Sequence, residues 1–174
     1  AIQAALTGHL VFSTVHANEA SGAIPRLVDL GVKPTSIGPA LNLIIAQRLV
    51  KRLCEKCKVA VKNKKEMDET AKKLIKSLPE RVDAGAYKEI KMFSPKGCDS
   101  CGGTGFRGRV GIYELLRISK EIESLMNKSA GEIEIQEFAL KQGMATMQQD
   151  GLLKVISGIT TVEEIEKVTG PINL

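Results

Sequence analysis

Two cysteine pairs constrain this chain more than any other feature. Cys54-Glu-Lys-Cys57 and Cys98-Asp-Ser-Cys101 are C-x-x-C knuckles with 40 residues between them. A two-residue spacer lets both sulfurs of a pair reach one ion, and two pairs complete a tetrahedral shell. Such a shell leaves no open position for water or substrate, so its role is structural. Cys54, Cys57, Cys98 and Cys101 are therefore candidate zinc ligands. An iron–sulfur cluster, which also takes four thiolates, is the alternative. Disulfides fit poorly, because nothing at the start of the chain resembles a secretory signal. The 40-residue gap exceeds that of a minimal zinc ribbon, so the knuckles close off an insert.

Composition narrows the rest. The chain has 174 residues, 43% hydrophobic and 26% charged, enough for one domain and a small appendage with a real core. Aromatics are 3% with no Trp, a poor supply for stacking nucleic-acid bases. No apolar run approaches the length of a membrane span. Val50 to Gly97 holds 14 Lys/Arg and 7 Asp/Glu, against 11 and 13 elsewhere, so a basic insert sits in a mildly acidic body. Lys51, Arg52, Lys56, Lys58 and Lys96 would offset the thiolates. The lysines form either a solvated surface or a contact for acidic lipid or an acidic partner.

Periodicity gives an α/β reading. Ala1 to Gly8 reads as a helix end with Gly8 as its stop. His9 to Val15, HLVFSTV, reads as a strand buried on both faces. Asn18 is expected to cap a helix carrying Ile24, Leu27, Val28 and Leu30, with a kink or late start at Pro25. Pro34 to Arg52 is expected to hold a second helix through Ile37, Leu41, Ile44, Ile45 and Leu49. Within the insert, Lys62 to Ser77 reads as an amphipathic helix through Met67, Ala71, Leu74 and Ile75. Arg109 to Arg117 reads as a strand, followed by three or four short helices. Ser129–Glu132 and Thr161–Glu164 match the capping box.

Two motifs near the knuckles are decoys. Gly103-Thr-Gly105-Phe-Arg-Gly108 fits G-x-G-x-x-G but follows a knuckle rather than a strand, so it is not read as a dinucleotide site. Cys98 to Gly105 also resembles one repeat of the cysteine-rich domain of Hsp40-type chaperones, but the first pair lacks the glycines. His9 and His16 bracket the expected strand, with Thr14 beside His16 at the end where open sheets bind ligands. Each is a candidate for sensing a terminal phosphate or orienting water, His9 the weaker of them, and taken alone each reads first as a structural residue. There is no Gly-Lys dipeptide, hence no phosphate loop, and no apolar strand ends in a magnesium-positioning acid.

Taken in order, ALTGHLVFSTVHANEA (Ala5 to Ala20), LIIAQRLVKRLCEKC (Leu43 to Cys57), CDSCGGTGFRGRVGIYELL (Cys98 to Leu116) and QGMATMQQDGLLKVISGITTVEEIEKVT (Gln142 to Thr169) resemble the secretion ATPases. These are the motors of type II secretion and type IV pilus assembly. Pilus retraction ATPases share the histidine box but lack the cysteine pairs. The resemblance implies the C-terminal part of a RecA-like P-loop NTPase core with an inserted tetracysteine zinc subdomain and a C-terminal helical bundle. It implies a partial core over 1–53, a zinc insert over 54–108, and a returning strand with helices over 109–174. It also implies a parent that binds ATP and Mg2+, forms a homo-hexamer, and works with a platform protein at the inner face of the bacterial cytoplasmic membrane. Nucleic acid is not expected as a partner. His9, His16 and Thr14 would then lie near phosphates, while the part of Gln47 and Arg48 stays open. The family's phosphate loop and acidic boxes precede the histidine box. A chain that starts there is expected to be inactive alone and to form dimers or swapped assemblies. The competing reading is a stand-alone zinc-ribbon module contacting protein or nucleic acid through its basic insert.

Overall fold

The computed structural model describes residues 1–61, 64–80, 82–87 and 90–172. The chain enters as α1 (Ile2–Leu6), which Gly8 ends at φ +92°, as the sequence predicts. Helix α2 (Ala23–Asp29) starts late and takes Pro25 in its first turn, where a missing N–H costs no hydrogen bond. Its N-cap is Gly22 rather than the expected Asn18.

The expected helix over Pro34 to Arg52 is two elements. Pro34 opens α3 (Pro34–Ala40), and after Leu41 the backbone turns extended into strand β1 (Leu43–Leu53). Ile44, Ala46 and Arg48 are half-buried and Val50 is buried, alternating with exposed Leu43, Ile45, Gln47 and Leu49. That alternation is a strand's period of two. Apolar residues on both faces also satisfy helical spacing.

The expected strand over His9 to Val15 does not form; residues 9–17 have no regular structure. Leu10 and Phe12 are 80% and 89% exposed. A strand needs a ladder, and among the described residues no other strand pairs with this run.

Strand β2 (Val59–Ala60) precedes helix α4 (Lys64–Ser77), which buries Ala71 and Leu74 as predicted; Lys62 and the Met67 side chain lie outside the described residues. Strand β3 (Phe93–Ser94) pairs antiparallel with β2, matching Val59 to Ser94 and Ala60 to Phe93. Strand β4 (Phe106–Arg117) pairs with β1 and buries Ile112, Glu114 and Leu116 on one face. Helices α5 (Lys120–Asn127), α6 (Glu132–Lys141), α7 (Met147–Ile156) and α8 (Val162–Thr169) follow. Neither expected capping box forms. Gly131, not Ser129, is the N-cap of α6, and Thr161 accepts no side-chain bond at α8. Among the described α-helices, a box forms instead at Thr146–Gln149, at the start of α7.

The chain divides into two compact units, Ala1–Ala46 with Glu114–Met144, and Gln47–Tyr113 with Ala145–Leu174. The core of the first gathers Ala20, Ile24, Ile37, Leu116, Ile122, Met126 and Ile135. There Glu114, nearly fully buried, accepts the Ala20 N–H at 3.0 Å. The second buries Val50 and Leu53 of β1, Leu74 of α4, Ile112 of β4, and Leu152, Ile156 and Ile165 of α7 and α8.

Candidate metal centre

The first knuckle begins where β1 ends. Buried Cys54 donates its N–H to the Gly105 carbonyl at 2.9 Å, and its own carbonyl accepts the N–H groups of Cys57 and Lys58. Those two bonds close a tight turn that carries both thiols of the pair on one side. The second knuckle is a 3-10 turn over Asp99–Cys101. The β2–β3 pairing brings the knuckles together. Val59 lies two residues after Cys57, and its partner Ser94 lies four before Cys98.

The four sulfurs all lie within 4.8 Å of one another. Cys54 to Cys98 is 3.9 Å, Cys57 to Cys101 is 3.8 Å and Cys98 to Cys101 is 3.8 Å. A tetrahedron with metal–sulfur bonds of about 2.3 Å has edges of about 3.8 Å. The thiols are free, and their separations are far beyond a disulfide's about 2.05 Å. In a four-iron cluster each thiolate sits on a different iron. Its sulfurs then stand farther apart than the edges of one ion's shell. The cluster thus fits a single tetrahedral ion.

Cys101 is the best-supported sulfur. It accepts N–H groups from Cys98 and from Gly105, both at 3.2 Å. Desolvation works to raise its pKa, but these donors and the neighbouring thiols outweigh it and draw it down to about 6. Cys57 is pushed up to about 12 by desolvation and by the thiols around it. The N–H donors thus favour the thiolate form of Cys101, the form in which a sulfur binds a metal ion.

Glycines that the sequence presents as a false dinucleotide motif serve this loop instead. Gly105 is buried at φ +76°, and a side-chain carbon there would collide with Pro95. Of the basic residues around the knuckles, Lys58 is firmly engaged, 2.7 Å from Glu55 and with its ammonium 4.6 Å from the centre of the Phe93 ring. Arg52 also pairs with Glu55 at 3.5 Å. The Lys58 hydrogen bond leads in holding the Glu55 carboxyl below its ordinary range. From the sequence Lys58 is only a counter-charge; its contacts with the Phe93 ring and with the Gly158 carbonyl, 3.0 Å from its ammonium, are long-range facts without a local signal.

The other candidates lie elsewhere. His9, Thr14 and His16 sit exposed on the irregular run of the first unit, and His9 Nδ1 lies 3.1 Å from Thr7 Oγ1. Gln47 is exposed and Arg48 half-buried on β1.

The likeness to known proteins extends over nearly the whole chain. Residues 1–167 match the family described as Type II/IV secretion system protein. The type IV pilus assembly ATPase PilB of Thermus thermophilus is 46% identical over 165 residues, covering 95% of this chain and 18% of its own. PilB of Myxococcus xanthus is 38% identical, covering 98% of this chain and 29% of its own. The type II secretion system protein E of Pectobacterium carotovorum is 39% identical, covering 97% and 31%. The chain thus spans under a third of the length of these relatives. In fold it is similar to the Legionella pneumophila ATPase DotB, with a TM-score of 0.54 at 19% identity over 96% of this chain and 33% of that one. The α/β class expected from the sequence is the one found. With the family match running from the first residue to within the last turn of α8, the chain belongs to the type II/IV secretion system protein family.

Proposed function

We propose that this chain is the C-terminal part of a motor ATPase that couples ATP hydrolysis to pseudopilin or pilin assembly, and that its tetracysteine cluster holds a structural zinc ion. The observation that carries the reading is the family match over residues 1–167 in a chain whose four sulfurs are spaced for one tetrahedral ion. Relatives named as pilus assembly and type II secretion ATPases support the motor role. In the whole protein, ATP and Mg2+ are bound by segments other than those in this chain, with His9, Thr14 and His16 near the phosphates. The assembly is a homo-hexamer working against a platform protein at the inner face of the bacterial cytoplasmic membrane. No helix among the described residues is long and apolar enough to cross a membrane.

When bound, zinc supplies a cross-link between the two knuckles and no chemistry of its own. The protein's part is to hold Cys54 and Cys57 on the β1 turn, to hold Cys98 and Cys101 on the 3-10 turn, and to stabilise the Cys101 thiolate with two N–H groups. The test is metal analysis together with ATP turnover of the purified chain. One zinc per chain and no turnover is the expected result. Turnover by these 174 residues alone overturns the fragment reading.

A further inference from the structure

Lys58 follows directly after the second thiol of the first knuckle. Besides Glu55 and the Phe93 ring, its ammonium donates to the Gly158 carbonyl at 3.0 Å. Gly158 belongs to the turn between α7 and α8. The backbone repeats the attachment on both flanks of the cluster. The Leu53 N–H donates to the Ile159 carbonyl at 2.8 Å, and the Lys91 N–H to the Ile156 carbonyl at 2.7 Å. The Thr160 hydroxyl, itself fully buried, donates to the Lys51 carbonyl at 2.8 Å. Residues 51–58 lead into the first pair of thiols and residues 91–93 lead toward the second, and one turn binds both.

The turn is also shaped to this contact. Gly158 has φ +71°, and a side-chain carbon there would lie 2.6 Å from the Phe93 ring and 2.9 Å from the Lys91 carbonyl oxygen. The glycine is therefore required twice, once for its backbone and once for the close approach of β3.

We propose that the α7–α8 turn is a support of the metal centre, with Gly158 and Lys58 as positioning residues, so that metal occupancy and order in residues 156–160 are coupled in both directions. The proposal rests on the zinc reading above. An ion held by all four sulfurs fixes both flanks, and the flanks hold the turn; whatever the ion does to the turn, the turn does to ion affinity. Groups that orient ligands from outside the shell commonly change metal affinity by about 10–100-fold when lost.

The experiment follows release of zinc from the loaded chain to a chromophoric chelator, and amide exchange with and without chelation. Gly158→Ala and Lys58→Met are expected to release zinc about ten-fold faster or more. Chelation of the parent chain should speed exchange at residues 156–160 while α5 and α6 keep their protection. The amides of β4 around buried Ile112, in the same unit as Gly158, report whether Gly158→Ala has folded, and Lys58→Met tests the contact with no change in backbone freedom. Release from both variants within about two-fold of the parent, with exchange in 156–160 unmoved by chelation, overturns the coupling. A parent chain that takes up no zinc overturns the metal reading itself, which the zinc stoichiometry reports separately.

Discussion

The Lys51 N–H donates to Glu164 Oε2 at 3.2 Å, tying strand β1 to the first turn of helix α8 through a carboxylate that is 6% exposed. Lys167 holds the other oxygen at 2.6 Å, and the Lys51 ammonium stands 4.0 Å away. Burial works to raise this carboxyl's pKa, but the Lys167 hydrogen bond, the Lys51 N–H and the two lysine charges outweigh it, and the net shift is downward. A lowered acid stabilises the fold above its unfolded pKa of about 4.3, and that contribution is lost as pH falls through the lower folded value. Glu164→Ala leaves the Lys51 N–H without its partner and should cost about 1–3 kcal/mol at pH 7 by urea unfolding. The difference from the parent should shrink below about pH 4. A cost that is flat with pH refutes the assignment.

Glu19 shifts the other way. Burial raises its pKa first, then the charges of Glu114 and Glu132, against a 2.5 Å bond from Gln136. A raised acid binds its proton more tightly folded than unfolded, so its ionisation weakens the fold as pH rises past the unfolded value of about 4.3. Glu19→Gln keeps an acceptor for Gln136 and removes the charge. It should raise the melting temperature at pH 7, and the gain should vanish at about pH 4. Equal melting temperatures at pH 7 would show that the carboxyl is well solvated.

Gly105→Ala asks an alanine to take φ +76° against Pro95, next to the N–H that supports Cys101. The strain should cost about 1–3 kcal/mol, and native mass spectrometry should find less than one zinc per chain. Gly102→Ala is the control. It also has positive φ, at +61°, but nothing lies near its side-chain position, so it should keep its zinc.

Leu10 and Phe12 present apolar side chains on a run with no ladder partner among the described residues. Exposed apolar segments of this kind drive association. The chain should therefore form dimers or larger species by light scattering, and Phe12→Ser should shift it toward monomer. A parent chain that is monomeric at the same concentration would refute this.

Each half of the tetracysteine cluster is legible in the sequence because its signal is local: a two-residue spacer lets both thiols reach one ion. Helix α4, strand β4 and the short C-terminal helices are legible from apolar spacing. The run from His9 to Val15 misleads because β-branched residues state a preference, while a strand also needs a neighbour to pair with. Leu43 to Leu53 misleads because a sequence apolar on both faces fits periods of two and of 3.6 alike. The support that Gly158 and Lys58 give the knuckles is illegible, since 100 residues separate them. The T-x-x-Q box at Thr146, by contrast, carries a local signal by which it could have been found.

A metal ion shared by Cys57 and Cys98 would set the terms on which the 40 intervening residues can change. Closing a loop costs free energy that grows only with the logarithm of its length, about 0.6 kcal/mol for each doubling. Once the sulfurs share an ion, the chain between α4 and Lys91 can lengthen or diverge with little thermodynamic consequence at the knuckles. It is the natural place for this scaffold to acquire new surface, whether by drift between species or by insertion of a reporter.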